Sequence, residues 1–326
     1  MRRRDFVATL ALLGLSGRPT LAQSEPTPPP KKPTGDPEMV EISVTDVRQF
    51  WAAWDRAELK TRLAVFQTYY LDLATPGLQD FFAEQIESIN ALVGAIDFYR
   101  RYYTSVREAT LGIAAQREQI RAGLRRLKTL YPEAIFPDLY FLVGNLSVPR
   151  LASPHGLLFA AEVYARTPTS PLDELDDDKK RLLRPFAELS ALVVHEVVHF
   201  QQRTLDIAAS LLAQSLVEGT ADWLGELATG VPVGVELHRW ADAHEREVWQ
   251  AFARQMHTQQ TQGWLYGTPA DNGWPSNLGH YVGYKIAQAY YNRAADKPQA
   301  VRALLTEQNF ERLLADSGYA ARLGSP

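Results

Sequence analysis

The segment His195-Glu196-Val197-Val198-His199 decides how the rest of the chain is read. On an α-helix successive residues turn by about 100°, so His195 and His199 stand one above the other on one face. Two imidazole nitrogens can then meet at one metal ion. Glu196 is offset by about a third of a turn; it does not ligate the metal but can reach a water on it. The flanks are apolar. Pro185 fits near a helix start, and Phe186, Leu189, Leu192, Val193, Val197 and Phe200 fall at a spacing that buries most of the helix. Histidines on such a helix need partners, because a buried polar group left unpaired costs about 1–3 kcal/mol. A bound cation meets that need.

A tetrahedral site needs a third protein ligand and an open position for water. One extended form of the motif would place Gly at 202 and His at 205; Gln202 and Leu205 stand there and exclude it. The other solution is a glutamate on a following helix. The stretch Leu211 to Leu224 supplies Glu218, far enough after His199 for one helix to end and a second to return antiparallel. Asp222 is four residues further, on the same face. It is placed to accept a hydrogen bond from the far nitrogen of a ligand histidine and so fix its tautomer. His195, His199 and Glu218 are therefore the expected ligands of one Zn²⁺ ion, with Glu196 as general base. Glu245, on a later amphipathic helix over 236–258, is the rival third ligand but has no companion carboxylate.

Upstream, Val47, Phe50, Trp51, Trp54, Leu59, Leu63, Phe66 and Tyr70 fall at helical spacing and predict a helix from Val44 to about Ala74. A second helical region is predicted from Leu78 to Leu130, with Pro76-Gly77 before it and a division near Tyr99–Thr104. Its basic run Arg117 to Lys128 reads as a solvated face. Residues 135–144 and 156–164 read as two strands, with Pro154-His155-Gly156 in the turn between them. His155 is a possible ligand or substrate contact and reads more simply as an exposed loop residue. The edge of the first strand offers a place for an extended peptide. The acidic residues 168–181 lack the glycine and terminal glutamate of a calcium loop and read as an exposed loop or a capped helix start. Another helix is expected from near Asn277. His280, Tyr281 and Tyr284 on it are candidates to steady a developing oxyanion, although the two tyrosines fit core positions as well. Gly279 and Gly283 would let this helix pack closely on the metal helices. Gly263 to Trp274 reads as a loop over the cleft, and 297–317 as short closing helices.

Three stretches carry a resemblance to a known family: Leu139 to Gly144 with Gly156 to Glu162, His195 to Gln201 with Glu218 to Asp222, and Asn277 to Ile286. Over roughly residues 135–295 the chain resembles predicted bacterial Zn-dependent proteases of the gluzincin type. The resemblance implies a zincin-like, mainly helical α+β domain with a small sheet before the active-site helix, and a zinc metallopeptidase acting on peptides or proteins. The chain departs from the family after the first strand, where Asn145-Leu146-Ser147-Val148-Pro149 replaces a usual Gly-Gly-Thr. Two other readings stand beside it: a non-catalytic zinc protein of the envelope, and a zinc amidase acting on a non-peptide substrate.

Of the 326 residues 46% are hydrophobic, enough for a substantial core. The net charge of -4 speaks against a nucleic-acid partner. There is no cysteine, which rules out disulfides, thiolate metal sites and a cysteine nucleophile. Met1-Arg2-Arg3-Arg4 followed by apolar Phe6 to Leu15 reads as a leader over 1–22, of twin-arginine or ordinary secretory type. Residues 23–40 hold a proline-rich spacer, and 41–326 the zinc peptidase-like domain. The expectation is a bacterial periplasmic or secreted protein with no membrane span after cleavage.

Overall fold

A computed structural model describes residues 29–202, 204–206, 208, 210–267 and 273–324. The leader and the first part of the spacer lie outside the described residues. The packed body begins before residue 41: Thr34 pairs with Phe136, and Pro37 is buried in a single 3₁₀ turn. No described helix is long and apolar enough to cross a membrane.

The fold is α+β and mainly helical. Strand β1 (Ile42–Ser43) leads into α1 (Thr45–Arg56), whose buried stripe is Val47, Phe50, Trp51 and Ala53. The single helix expected to Ala74 breaks after Arg56, where Ala57 is extended. It resumes as α2 (Arg62–Phe66) and a π turn over Gln67–Leu71. The break leaves Leu59 and Leu63 exposed, against the periodicity. What wins is aromatic packing: Phe66 and Tyr70 return to Phe50 at 5.3 and 5.4 Å between ring centroids. Helix α3 (Pro76–Phe81) is capped by the Thr75 hydroxyl, so Pro76 opens a helix rather than preceding one. A second π turn ends at Glu87 (φ 65°). Helix α4 (Ile89–Phe98) follows, and the expected division falls at Tyr99, before the long α5 (Arg100–Leu130).

The sheet contains β2 (Leu139–Leu142), β3 (Arg150–Ser153) and β4 (Gly156–Ala160), in the order β1-β2-β4-β3. The strands expected over 135–144 and 156–164 are present but do not form a hairpin. β2 and β4 run parallel, Leu139 opposite Leu157, and the Pro154-His155 turn joins β3 to β4 antiparallel. This corrects two readings. β2 is interior, between β1 and β4, so its edge is not free for a peptide; among the described residues the edge strands are the two-residue β1 and the four-residue β3. His155 is not an exposed loop residue: its Nδ1 lies 2.7 Å from Asp80 Oδ2.

The loop between β2 and β3 is fixed from inside. Glu162, fully buried, accepts the amides of Gly144 at 3.0 Å and Leu146 at 3.3 Å. Leu146 is buried with φ 59°, a left-handed backbone that costs a branched residue about 1 kcal/mol or more.

Helix α6 (Asp177–Leu182) is capped by Asp176, in keeping with a capped helix start in the acidic stretch. A 3₁₀ turn after Pro185 enters α7 (Leu189–Gln201). Helix α8 (Leu211–Thr229) packs on α7. The helix expected over 236–258 is split at His244 into α9 (Val235–Ala243) and α10 (Glu245–Ala253). Helix α11 (Leu278–Arg293) lies across α8, and α12 (Lys297–Thr306), α13 (Phe310–Ser317) and α14 (Tyr319–Leu323) close the body.

Two apolar clusters flank the site. One fills the space between the sheet, α1, α5 and α7; the other gathers α8, α10, α11, α13 and α14 around Trp249, Phe252 and Tyr281. Helix α8 belongs to both and is held very close to α11. A methyl group on Gly219 would overlap the backbone of Gly283 and Tyr284, and one on Gly283 would overlap the Ser215 carbonyl. Only glycine lets the two backbones touch.

Candidate metal centre

Helix α7 is apolar on nearly all sides, which buries it and takes His195 and Glu196 in with it. His195 Nε2 and His199 Nε2 lie 2.9 Å apart. Glu218 reaches across from α8, its Oε2 at 3.2 Å from His199 Nε2 and 3.6 Å from His195 Nε2. Ligand atoms about 2.0–2.1 Å from a tetrahedral zinc lie roughly 3.4 Å from one another. The three atoms thus have the spacing of one triangular face of such a site. A carboxylate oxygen of Glu196 is within 4.8 Å of a ring nitrogen of each histidine, near enough to address a fourth position. Two imidazoles and one carboxylate, with no thiolate, form a donor set that suits zinc.

The far sides of both histidines are occupied. His199 Nδ1 lies 2.9 Å from Gln202 Oε1, and Gln202 Nε2 donates to the Val217 carbonyl at 3.2 Å. His195 Nδ1 lies 2.7 Å from Asp222 Oδ1, a close ionic contact whose angle falls short of a straight hydrogen bond. The other oxygen of Asp222 takes His280 Nδ1 at 3.0 Å. One carboxylate therefore holds two histidines, whose rings are nearly parallel with centroids 6.5 Å apart.

The electrostatics favour positive charge here. Burial works against protonation of His195, but the Asp222 carboxylate overrides it and holds the imidazole up at about 10. Burial opposes ionisation of Glu218 and Asp222 as well; the facing histidines nevertheless keep both below the usual carboxylate range. A nest that retains protons on buried imidazoles is equally suited to a cation in their place.

Of the three oxyanion candidates, the structure brings only His280 to the site. Tyr281 is fully buried in the second cluster and its hydroxyl donates to Asp242 at 2.8 Å. Tyr284 packs on His238 at 4.5 Å, and its hydroxyl answers to Glu226. Both face α9, Tyr281 from the second cluster and Tyr284 from the first, and they do the work of core aromatics. The rival ligand Glu245 pairs with Arg322. Sequence reasoning missed three residues. Gln202 was read only as a missing glycine. Tyr164 stands just past β4, and its hydroxyl reaches Glu196. Arg150 opens β3, and its Nε meets Glu196 Oε2. A helix-end amide three residues after a histidine was a signal for Gln202. Nothing in the pattern marked Arg150, because Arg150-Leu151-Ala152-Ser153 carries one strong apolar residue and does not read as a strand. In the segment expected to form a loop over the cleft, part of which lies outside the described residues, Trp264 and Leu265 are buried, whereas Tyr266 is exposed.

Residues 179–310 match the model of a family described as "Predicted Zn-dependent protease (DUF2268)". The resemblance stated from the sequence is thereby upheld over that segment, which contains His195, Glu196, His199, Glu218, Asp222 and His280. Arg150 and Tyr164 lie outside it. No curated protein and no solved structure matches the chain. The matched segment is similar to a family predicted to contain zinc-dependent proteases, and the mainly helical α+β fold agrees with a zincin-like arrangement.

Proposed function

We propose that the protein is a zinc metallopeptidase that cleaves peptide bonds with Glu196 as general base. The observation that carries this is the convergence of His195 Nε2, His199 Nε2 and Glu218 Oε2 at 2.9–3.6 Å beside the Glu196 carboxylate. These three side chains would hold one Zn²⁺ ion. Zinc in such a site supplies a Lewis acid and a water whose pKa falls toward about 7. Glu196 takes a proton from the attacking water and delivers it to the leaving amine nitrogen. Asp222 and Gln202 orient His195 and His199. His280, with Nδ1 tied to Asp222, has Nε2 to offer to the oxygen that gains charge. An extended substrate adds to the free edge of β3 by main-chain hydrogen bonds.

Export follows from the basic-apolar leader and the proline-rich spacer, so we place the substrate in the periplasm or outside the cell. The test is Glu196→Gln in the full chain, with zinc content and peptide hydrolysis measured together. Zinc should remain bound while turnover of a broad peptide library falls at least about a thousandfold. Unchanged turnover in that variant removes Glu196 as base. A wild-type protein that binds zinc and cleaves nothing favours a structural zinc, and release from purified cell wall alone favours a non-peptide amide.

A further inference from the structure

Arg150 is the first residue of the edge strand β3, and its contact with Glu196 is single-pronged: Nε meets one carboxylate oxygen. A guanidinium is a planar fork of five N–H donors that grips a carboxylate with two parallel bonds when both oxygens are available. Here no other described group bonds the two terminal nitrogens. The Arg150 side chain is 37% exposed, against 11% for Glu196. An unused cationic fork therefore stands at the mouth of the site, on the strand along which an extended peptide would lie. Side chains directly opposite one another on paired strands are about 4.5–5.5 Å apart, well within the reach of an arginine.

We infer that Arg150 is a specificity-determining residue that selects peptides carrying a carboxylate close to the bond to be cut. The inference rests on the peptidase reading of the site and adds the substrate class to it. Nε keeps Glu196 in place while the terminal nitrogens take the substrate carboxylate, so the two roles do not compete for the same donors. Two sources offer that chemistry, an Asp or Glu side chain beside the scissile bond and a free C-terminus.

The test uses the zinc-loaded full chain and matched peptides: Asp against Asn at positions flanking the cleavage site, and free against amidated C-termini. The wild type should prefer the carboxylate member of a pair by about ten- to hundredfold in kcat/KM. Arg150→Gln should abolish the preference, and Arg150→Lys should keep part of it as a point charge. A preference that follows the side chain identifies acidic residues; one that follows the terminus identifies an exopeptidase. Equal use of acid and amide peptides by the wild type overturns the inference. So does an Arg150→Gln variant slowed by the same factor on both, for Arg150 then only positions Glu196. Binding of the same peptides to Glu196→Gln by fluorescence anisotropy needs no turnover and separates the two readings. If nothing is cleaved but acid peptides bind tighter, with the difference lost on adding Arg150→Gln, the carboxylate site stands and the peptidase reading fails. Equal binding removes the site.

Discussion

Gln202 ties His199 to the backbone of Val217, one residue before Glu218. The end of α7 and the turn of α8 that carries Glu218 are thereby joined through one buried amide. A ligand histidine held this way keeps its tautomer and its ring plane, and losing such a support typically costs 10–100-fold in metal affinity. We expect Gln202→Ala to weaken zinc binding by about tenfold or more in competition with a chelator. Gln202→Glu, which keeps the acceptor but loses the donor to Val217, should fall between the two. Equal affinity in all three proteins would separate Gln202 from the site.

Asp222 should matter more, because it supports His195 and His280 together. Asp222→Asn is expected to reduce zinc affinity by about 10–100-fold. Any turnover should fall further than the loss of zinc explains, once measured at saturating metal, since His280 also loses its anchor. His280→Ala should leave zinc content near that of the wild type and lower kcat more than it raises KM.

The approach of α8 to α11 makes a prediction about stability. Gly283→Ala forces a methyl group into the Ser215 carbonyl, where backbone rather than a flexible side chain must move. A loss of at least about 1–3 kcal/mol is expected from overpacking of this kind, read as a lower denaturant midpoint. Gly94→Ala is the control: nothing lies within 4 Å of the added methyl on α4, and helix propensity alone should stabilise by about 0.5–1 kcal/mol.

Glu162 gives a pH dependence. Burial is the largest cause and pushes its carboxyl up to about 7, with the Gly144 amide pulling the other way. Tyr102 and Tyr103 pack beside it, their hydroxyls committed to the Glu162 and Gly144 carbonyls. For a carboxyl raised on folding, the native state binds the extra proton, so stability falls as pH rises from about 4.5 and the loss is complete above about 7. The size is on the order of 3 kcal/mol. Asp46, raised by burial to about 6, acts in the same direction. The difference in unfolding free energy between wild type and Glu162→Gln should therefore change between pH 5 and 7.5, in favour of the variant at the upper end. A difference independent of pH would mean that Glu162 ionises normally in the folded chain.

Much of the site was legible because helical spacing is short-ranged. His195 and His199 are linked by one turn, and Glu218 and Asp222 by another; each pair needs only local geometry to share a face. The pairing of the two helices was legible too, since a short connection brings the second back on the first. The sheet order was not. Parallel pairing of β2 with β4 depends on a crossover that sequence alternation does not encode, and it left β2 interior with β3 at one edge. The same change made Arg150 a neighbour of Glu196. Tyr281 and Tyr284 failed as oxyanion candidates for a related reason. The contact of Gly219 with Gly283 sets the rotation of α11, and that rotation presents His280 to Asp222 while both tyrosines turn toward α9.

The shared carboxylate has a thermodynamic consequence. Whatever strengthens the hold of Asp222 on one histidine alters what it can give the other, so the two imidazoles are linked sites. Linkage is reciprocal: if metal on His195 changes the affinity of an anion at His280 by some factor, the anion changes the affinity for metal by that same factor. Substrate would then regulate retention of the ion through one side chain, with no motion of the fold.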